Sequence, residues 1–220
     1  MKNNEDPPLK ARVSPTMQKR KIGLFGGTFD PIHIGHLHLA LTLAEAHHLD
    51  RVVFIPAARN PLKATRPAQD QDRLEMLGLA LQDIGNFEID PAELSAPPPS
   101  YTVDTVERWK NQVPPTEELY LLLGEDALDT LHLWKEPRKL FSMAQPLICA
   151  RSSIQFPGVP HLPDLEKKLK EGWVTAPRME VSATLIRKRL KEKRFCGHLL
   201  PAKVLDYINT NGLYSSCEKE

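Results

Sequence analysis

The chain has almost no net charge, no long apolar run and few cysteines, and each shortage removes a class of function. Its 29 Lys and Arg balance 28 Asp and Glu to a formal charge of +1, so no global field draws it to nucleic acid or to an anionic membrane. Any positive field must be local to a site. No stretch approaches the roughly 20 apolar residues that a membrane-spanning helix needs, and the basic N-terminus lacks the apolar core of a signal peptide. The three cysteines, Cys149, Cys196 and Cys217, are widely spaced, odd in number and without the paired spacing of a zinc site. A reduced, cytoplasmic protein with neither membrane nor nucleic-acid partners is the expectation. At 220 residues the chain is long enough for one α/β domain and short for two.

The first twenty residues carry Pro7, Pro8 and Pro15 among polar and charged neighbours, without apolar periodicity. They read as a tail (1–20), followed by a single domain (21–215) and a short C-terminal tail (216–220). Within the domain, apolar β-branched runs alternate with helical periodicity. Ile22-Gly23-Leu24-Phe25, Arg51 to Pro56, Phe87 to Asp90, Leu119 to Leu123 and Pro146 to Arg151 read as strands. Helices are expected from near His36, across Leu74, Leu77 and Leu81, across Val103, Val106 and Trp109, from near Pro137, after Ser182, and from Pro201 to before Gly212. Strands alternating with helices indicate a Rossmann-like three-layer α/β/α sandwich with a mostly parallel sheet.

One passage concentrates the chemistry: Gly26-Gly27-Thr28-Phe29-Asp30-Pro31-Ile32-His33-Ile34-Gly35-His36. A glycine turn between a strand and a helix N-terminus collects unpaired N–H groups and the positive end of the helix dipole, which suits a phosphate. Two imidazoles at that mouth add donors for phosphate chemistry. A second passage, Val181-Ser182-Ala183-Thr184-Leu185-Ile186-Arg187, brings hydroxyls, helix N–H groups and a guanidinium to one helix end, an arrangement suited to polyphosphate. Gly124-Glu125-Asp126 follows a strand, where open α/β sheets bind ligands and an aspartate suits ribose hydroxyls. Ser100-Tyr101-Thr102 opens a helix, so it serves as a cap, as an anion site, or as both.

Taken whole, the Gly-Gly-Thr-Phe-Asp-Pro-Ile-His-x-Gly-His string resembles the signature of the nucleotidyltransferase superfamily, and in particular of the bacterial nicotinate-nucleotide adenylyltransferases. The Gly-x-Asp element, the Ser182 element (with Val181 and Ala183 as departures) and the terminal Tyr-Ile-x-x-x-Gly-Leu-Tyr segment extend the resemblance from about Lys21 to Tyr214. It implies adenylyl transfer from ATP, with Mg²⁺, to nicotinate mononucleotide, giving nicotinate adenine dinucleotide and pyrophosphate. By the same resemblance, His33, His36 and Arg187 are catalytic, and ATP is bound by Gly26, Gly27, Thr28, Phe29, His33, His36, Gly124, Asp126, Ser182, Thr184 and Arg187. The acceptor's carboxylate would meet Tyr101 and Thr102, and its pyridine ring would stack on Trp134, whereas Trp109 and Trp173 are expected in the core. Lys63 is a candidate triphosphate contact with a solvated surface lysine as the alternative, and Arg73 looks structural.

Four competing readings are weighed against this one. An adenylyltransferase for nicotinamide mononucleotide or phosphopantetheine would share the ATP motifs and differ only on the acceptor side. A zinc hydrolase would need a third ligand besides His33 and His36. A nicotinamide-dependent oxidoreductase would want Gly-x-Gly-x-x-Gly and a ribose-binding acid after the second strand. A non-catalytic nucleotide sensor could dispense with His33, His36 or Arg187, all of which are present.

Overall fold

A computed structural model describes residues 19–58, 67–97, 99–150 and 155–215. Six strands form one sheet in the order β3-β2-β1-β4-β5-β6, and every neighbouring pair is parallel. The strands are β1 (Arg20–Gly27), β2 (Arg51–Pro56), β3 (Phe87–Ile89), β4 (Glu117–Gly124), β5 (Gln145–Ala150) and β6 (Trp173–Thr175). The α-helices are α1 (Ile34–His47), α2 (Asp70–Leu81), α3 (Thr102–Gln112), α4 (Ala127–Thr130), α5 (Pro137–Met143), α6 (Glu166–Glu171), α7 (Ala183–Lys191) and α8 (Ala202–Thr210). The expected Rossmann-like sandwich is the observed one.

Side-chain alternation along each strand builds two cores, one on each face of the sheet. Val52, Phe54 and Leu122 point into the cluster beneath α1, α2 and α8. Val53, Ile55, Leu121 and Leu123 point into the opposite cluster beneath α3 and α5. Both faces are therefore dry, which is why β2 and β4 are apolar at nearly every position. The strand order reverses between β1 and β4, and a crevice opens at their carboxyl ends in sheets of this winding. Gly26-Gly27 and Gly124 end those two strands.

Three sequence expectations change in detail. The first helix begins at Ile34, two residues before His36, with His33 as its N-cap residue. Trp173, expected in the core, is only half-buried against it, with Phe156 edge-on to it at 5.2 Å, and it opens β6, an edge strand whose three residues are too few to show a period. The helix after Ser100-Tyr101 is not capped by a hydroxyl: Tyr101 is the N-cap residue and its side chain makes no capping bond. The Ser100 hydroxyl instead accepts the backbone N–H of Ala58 at 3.2 Å, tying the exit of β2 to the start of α3.

Candidate active site

Two cavities open at the carboxyl edge of the sheet, and Gly26 and Gly27 line both of them. A Cβ on Gly27 would stand 2.8 Å from the Phe29 ring, while one on Gly26 would meet nothing and would project into open space. Glycine at 26 thus keeps clear the place where the two cavities join.

The larger cavity, 620 Å³, is lined by Thr28, His33, His36, Gly124, Asp126, Ser182, Thr184 and Arg187. Residues from three separate passages of the sequence meet there. His36 is held on several sides: its ring stacks on that of His33 with centroids 3.7 Å apart and meets Phe29 edge-on at 5.1 Å. The backbone N–H of His33 donates to His36 Nδ1 at 3.3 Å. A nitrogen that accepts cannot carry the proton, so the neutral imidazole holds its hydrogen on Nε2, the tautomer able to donate to an oxyanion. His33 is only 5% exposed, and Phe29, at 1%, is a core residue whose ring packs against Phe25 and Phe54.

Gly35 is required by packing. A Cβ there would lie 2.5 Å from Val181 Cγ1 and 3.1 Å from His33 Nδ1, so its absence lets the first turn of α1 close against the segment that leads into α7. Ser182 caps α7, its Oγ accepting the N–H of Leu185 at 3.2 Å. The remaining N–H groups of that first turn and the Thr184 hydroxyl face the same end. Arg187 reaches back from the next turn and donates through Nη1 to the carbonyl of Asp30 at 2.7 Å. Asp126 takes the N-cap position of α4 without a side-chain capping bond.

The smaller cavity, 420 Å³, has apolar walls from Leu24, Ile55, Leu121 and Leu123, with Tyr101, Thr102, Thr105, Trp134 and Glu93 among them. The three residues expected to take the acceptor share this one space. Because no side chain caps α3, its first N–H groups remain for an anion. Lys135 stands over the Tyr101 ring at 4.8 Å and pairs with Asp104 at 2.9 Å. Burial pushes the Glu93 carboxyl up from its ordinary value, against the lowering effect of hydrogen bonds from Thr105 and Ser100.

The motifs did not disclose everything that shapes the site. Arg73 is fully buried and donates to the carbonyls of Thr28 at 2.8 Å and Ala57 at 2.7 Å, which bears out a structural role. A signal existed, since Arg73 falls on the same helical stripe as Leu77 and Leu81. Glu93 and Thr105, which no motif marks, form a polar wall of the smaller cavity together with Ser100. Lys63 and Arg151 lie outside the described residues. Among the described residues, no cluster of three or more His, Cys, Asp or Glu could hold a metal ion, and no helix is long and apolar enough to cross a membrane.

A fold wound around a glycine turn, with imidazoles, a guanidinium and a capped helix end facing one cavity, defines a nucleotidyltransferase. The cytidylyltransferase-like family model matches residues 24–189. A protein of Dechloromonas aromatica named "Probable nicotinate-nucleotide adenylyltransferase" is 37% identical over 210 residues, covering 88% of this chain and 97% of its own. One of the same name from Roseiflexus sp. is 38% identical over 202 residues, covering 90% and 100%. The chain belongs to this family of nicotinate-nucleotide adenylyltransferases. In fold it also matches the Plasmodium falciparum nicotinic acid mononucleotide adenylyltransferase complexed with APC, at TM-score 0.70 and 18% identity over 89% of this chain and 97% of that one.

Proposed function

We propose that the protein transfers the adenylyl group of ATP to nicotinate mononucleotide, releasing pyrophosphate and forming nicotinate adenine dinucleotide. The observation that carries this reading is the pair of cavities meeting at Gly26 and Gly27, one lined for polyphosphate and the other for a flat ring with an anionic substituent. Residues 21–215 act as the single catalytic domain, since both cavities are built on one sheet.

ATP occupies the larger cavity, with Asp126 at its ribose and Gly26 to Phe29 along its phosphates. The nicotinate ring stacks on Trp134, and its carboxylate meets the N–H groups and hydroxyl at Tyr101 and Thr102. A carboxylate accepts from those N–H groups, whereas an amide sets its own NH₂ against them, so the acid is preferred to nicotinamide mononucleotide. The acceptor's 5′-phosphate then lies beside Gly26. One of its oxygens forms a bond to the α-phosphorus in line, and the bond from that phosphorus to the bridging oxygen of the β-phosphate breaks. The nucleophile is already anionic near neutral pH, so alignment and charge neutralisation are the enzyme's task. His36 Nε2 and His33 donate to phosphate oxygens around the reacting centre, while Arg187 and the Ser182 end of α7 hold the departing pyrophosphate.

The donor set fits a divalent cation that arrives on ATP, because a hard ion such as Mg²⁺ is satisfied by phosphate and water oxygens without a protein cage. Such an ion would supply charge neutralisation at the phosphates. Substituting one residue in each cavity tests the assignment. His36→Ala is expected to lower kcat about 10²–10³-fold, with little change in the KM for acceptor. Trp134→Ala is expected to raise the KM for nicotinate mononucleotide about tenfold and leave the KM for ATP unchanged. Wild-type turnover in folded His36→Ala, or a raised ATP KM in Trp134→Ala, would sink the division of labour.

A further inference from the structure

Tyr214 comes from just beyond α8, yet its hydroxyl reaches the centre of the first motif. It donates to Asp30 Oδ1 at 2.7 Å across 184 positions of sequence. The same oxygen accepts the backbone N–H of Ala68 at 3.1 Å. Oδ2 faces Arg187 Nη1 at 3.5 Å, and Nη2 of that guanidinium approaches Thr184 Oγ1 at 3.4 Å. Asp30 is only 7% exposed, so Tyr214, Ala68 and Arg187 meet at a carboxylate with little water to replace any of them. Tyr214 is held there at φ 60°, a left-handed conformation uncommon for a bulky residue.

We propose that Tyr214 is a positioning residue for the pyrophosphate clamp: by occupying one oxygen of Asp30, it keeps that carboxylate from closing on Arg187 and leaves the guanidinium directed at the polyphosphate. An arginine and a carboxylate with nothing between them form a two-point pair. In this structure Tyr214 and Ala68 both hold Oδ1, so that Arg187 meets only Oδ2, at a long distance, and rests on the carbonyl of Asp30 instead. Without the Tyr214 hydroxyl, only the Ala68 N–H holds Oδ1, and Asp30 can turn to pair with both arms of Arg187 and compete with the phosphates. Burial, and then the charge of Asp30, raise the Tyr214 phenol above its ordinary value, so it remains an O–H donor at neutral pH.

The inference rests on Arg187 binding the leaving pyrophosphate, and the test separates the two claims. Tyr214→Phe keeps the ring and removes only the hydroxyl. Steady-state kinetics would be compared for wild type, Tyr214→Phe, Arg187→Ala and the double variant, varying ATP and nicotinate mononucleotide separately. The expected result is a fall of about tenfold in kcat/KM for ATP in Tyr214→Phe, an unchanged KM for nicotinate mononucleotide, and no further loss when Tyr214→Phe is added to Arg187→Ala. Equal losses in both backgrounds would overturn the inference, because Tyr214 would then act independently of Arg187. So would wild-type kinetics in Tyr214→Phe with only a lower melting temperature. An Arg187→Ala enzyme with undiminished kcat/KM for ATP would refute the reading of Arg187 itself and this inference with it.

Discussion

Single side chains hold this site by satisfying backbone as much as by meeting substrate. Arg73 is the plainest case, a charge at zero exposure whose donors serve the carbonyls that leave β1 and β2. Arg73→Met fills much of the volume and leaves both carbonyls without that donor, so a loss of about 3 kcal/mol is expected. In a domain of this size that lowers the melting temperature by roughly 6–12 °C, which calorimetry would detect. Gly35 is the converse, a residue needed for what it lacks. Gly35→Ala places a methyl 2.5 Å from Val181, a cost of about 1–3 kcal/mol, and pushes α1 away from the start of α7. Both stability and kcat should fall; an alanine variant with normal kcat would show that the spacing of His36 from α7 is not critical. The glycine could be read from sequence as part of a turn, but its true constraint, a contact with residue 181, exists only in the fold.

At the level of elements, the chemistry depends on how each helix begins. Ser182 caps α7 and α3 goes uncapped by any side chain, so one helix end is finished by protein while the other waits for an anion. Ser182→Ala should cost about 1 kcal/mol of stability and raise the KM for ATP, without altering the KM for the acceptor. That the Ser182 passage starts a helix was legible because a cap, an apolar stripe and basic residues follow in order. The Ser-Tyr-Thr passage was less so, since serine is a good cap in isolation and only the fold turns Ser100 toward Ala58. The end of α1 carries a pH response. Burial first, and then the charges of Lys21 and His48, hold the His47 imidazole below its ordinary value of 6.5. The unfolded chain therefore binds the extra proton in the interval between the native pKa and 6.5. Stability from this group is complete above that interval and falls as the pH drops through it. His47→Gln should flatten the decline in denaturant midpoint below pH 6.5; an unchanged slope would show that other groups govern it.

For the molecule as a whole, the strand order brings the motifs together. Gly26-Gly27 and Gly124 are nearly a hundred residues apart, yet they end adjacent strands at the point where the winding reverses. The alternation of strands and helices was visible in sequence because both faces of the sheet are covered and its central strands each carry a continuous apolar run after a charged first residue or two. Short edge elements such as β6 escaped, since burial on one side over three residues imposes no pattern. The residues that line the larger cavity were equally visible, because they fall in motifs with fixed offsets. The polar wall of the acceptor cavity, with Glu93 and Thr105, was not, because it is assembled by tertiary contacts between α3 and the segment before it. Acceptor choice is also where the central claim is most exposed. Pyrophosphate release would be measured with ATP and Mg²⁺ against nicotinate mononucleotide, nicotinamide mononucleotide and phosphopantetheine in turn, with each product identified by mass. A strong preference for nicotinate mononucleotide is the expected result, and a preference for either of the others would contradict the acceptor site assigned to Tyr101, Thr102 and Trp134.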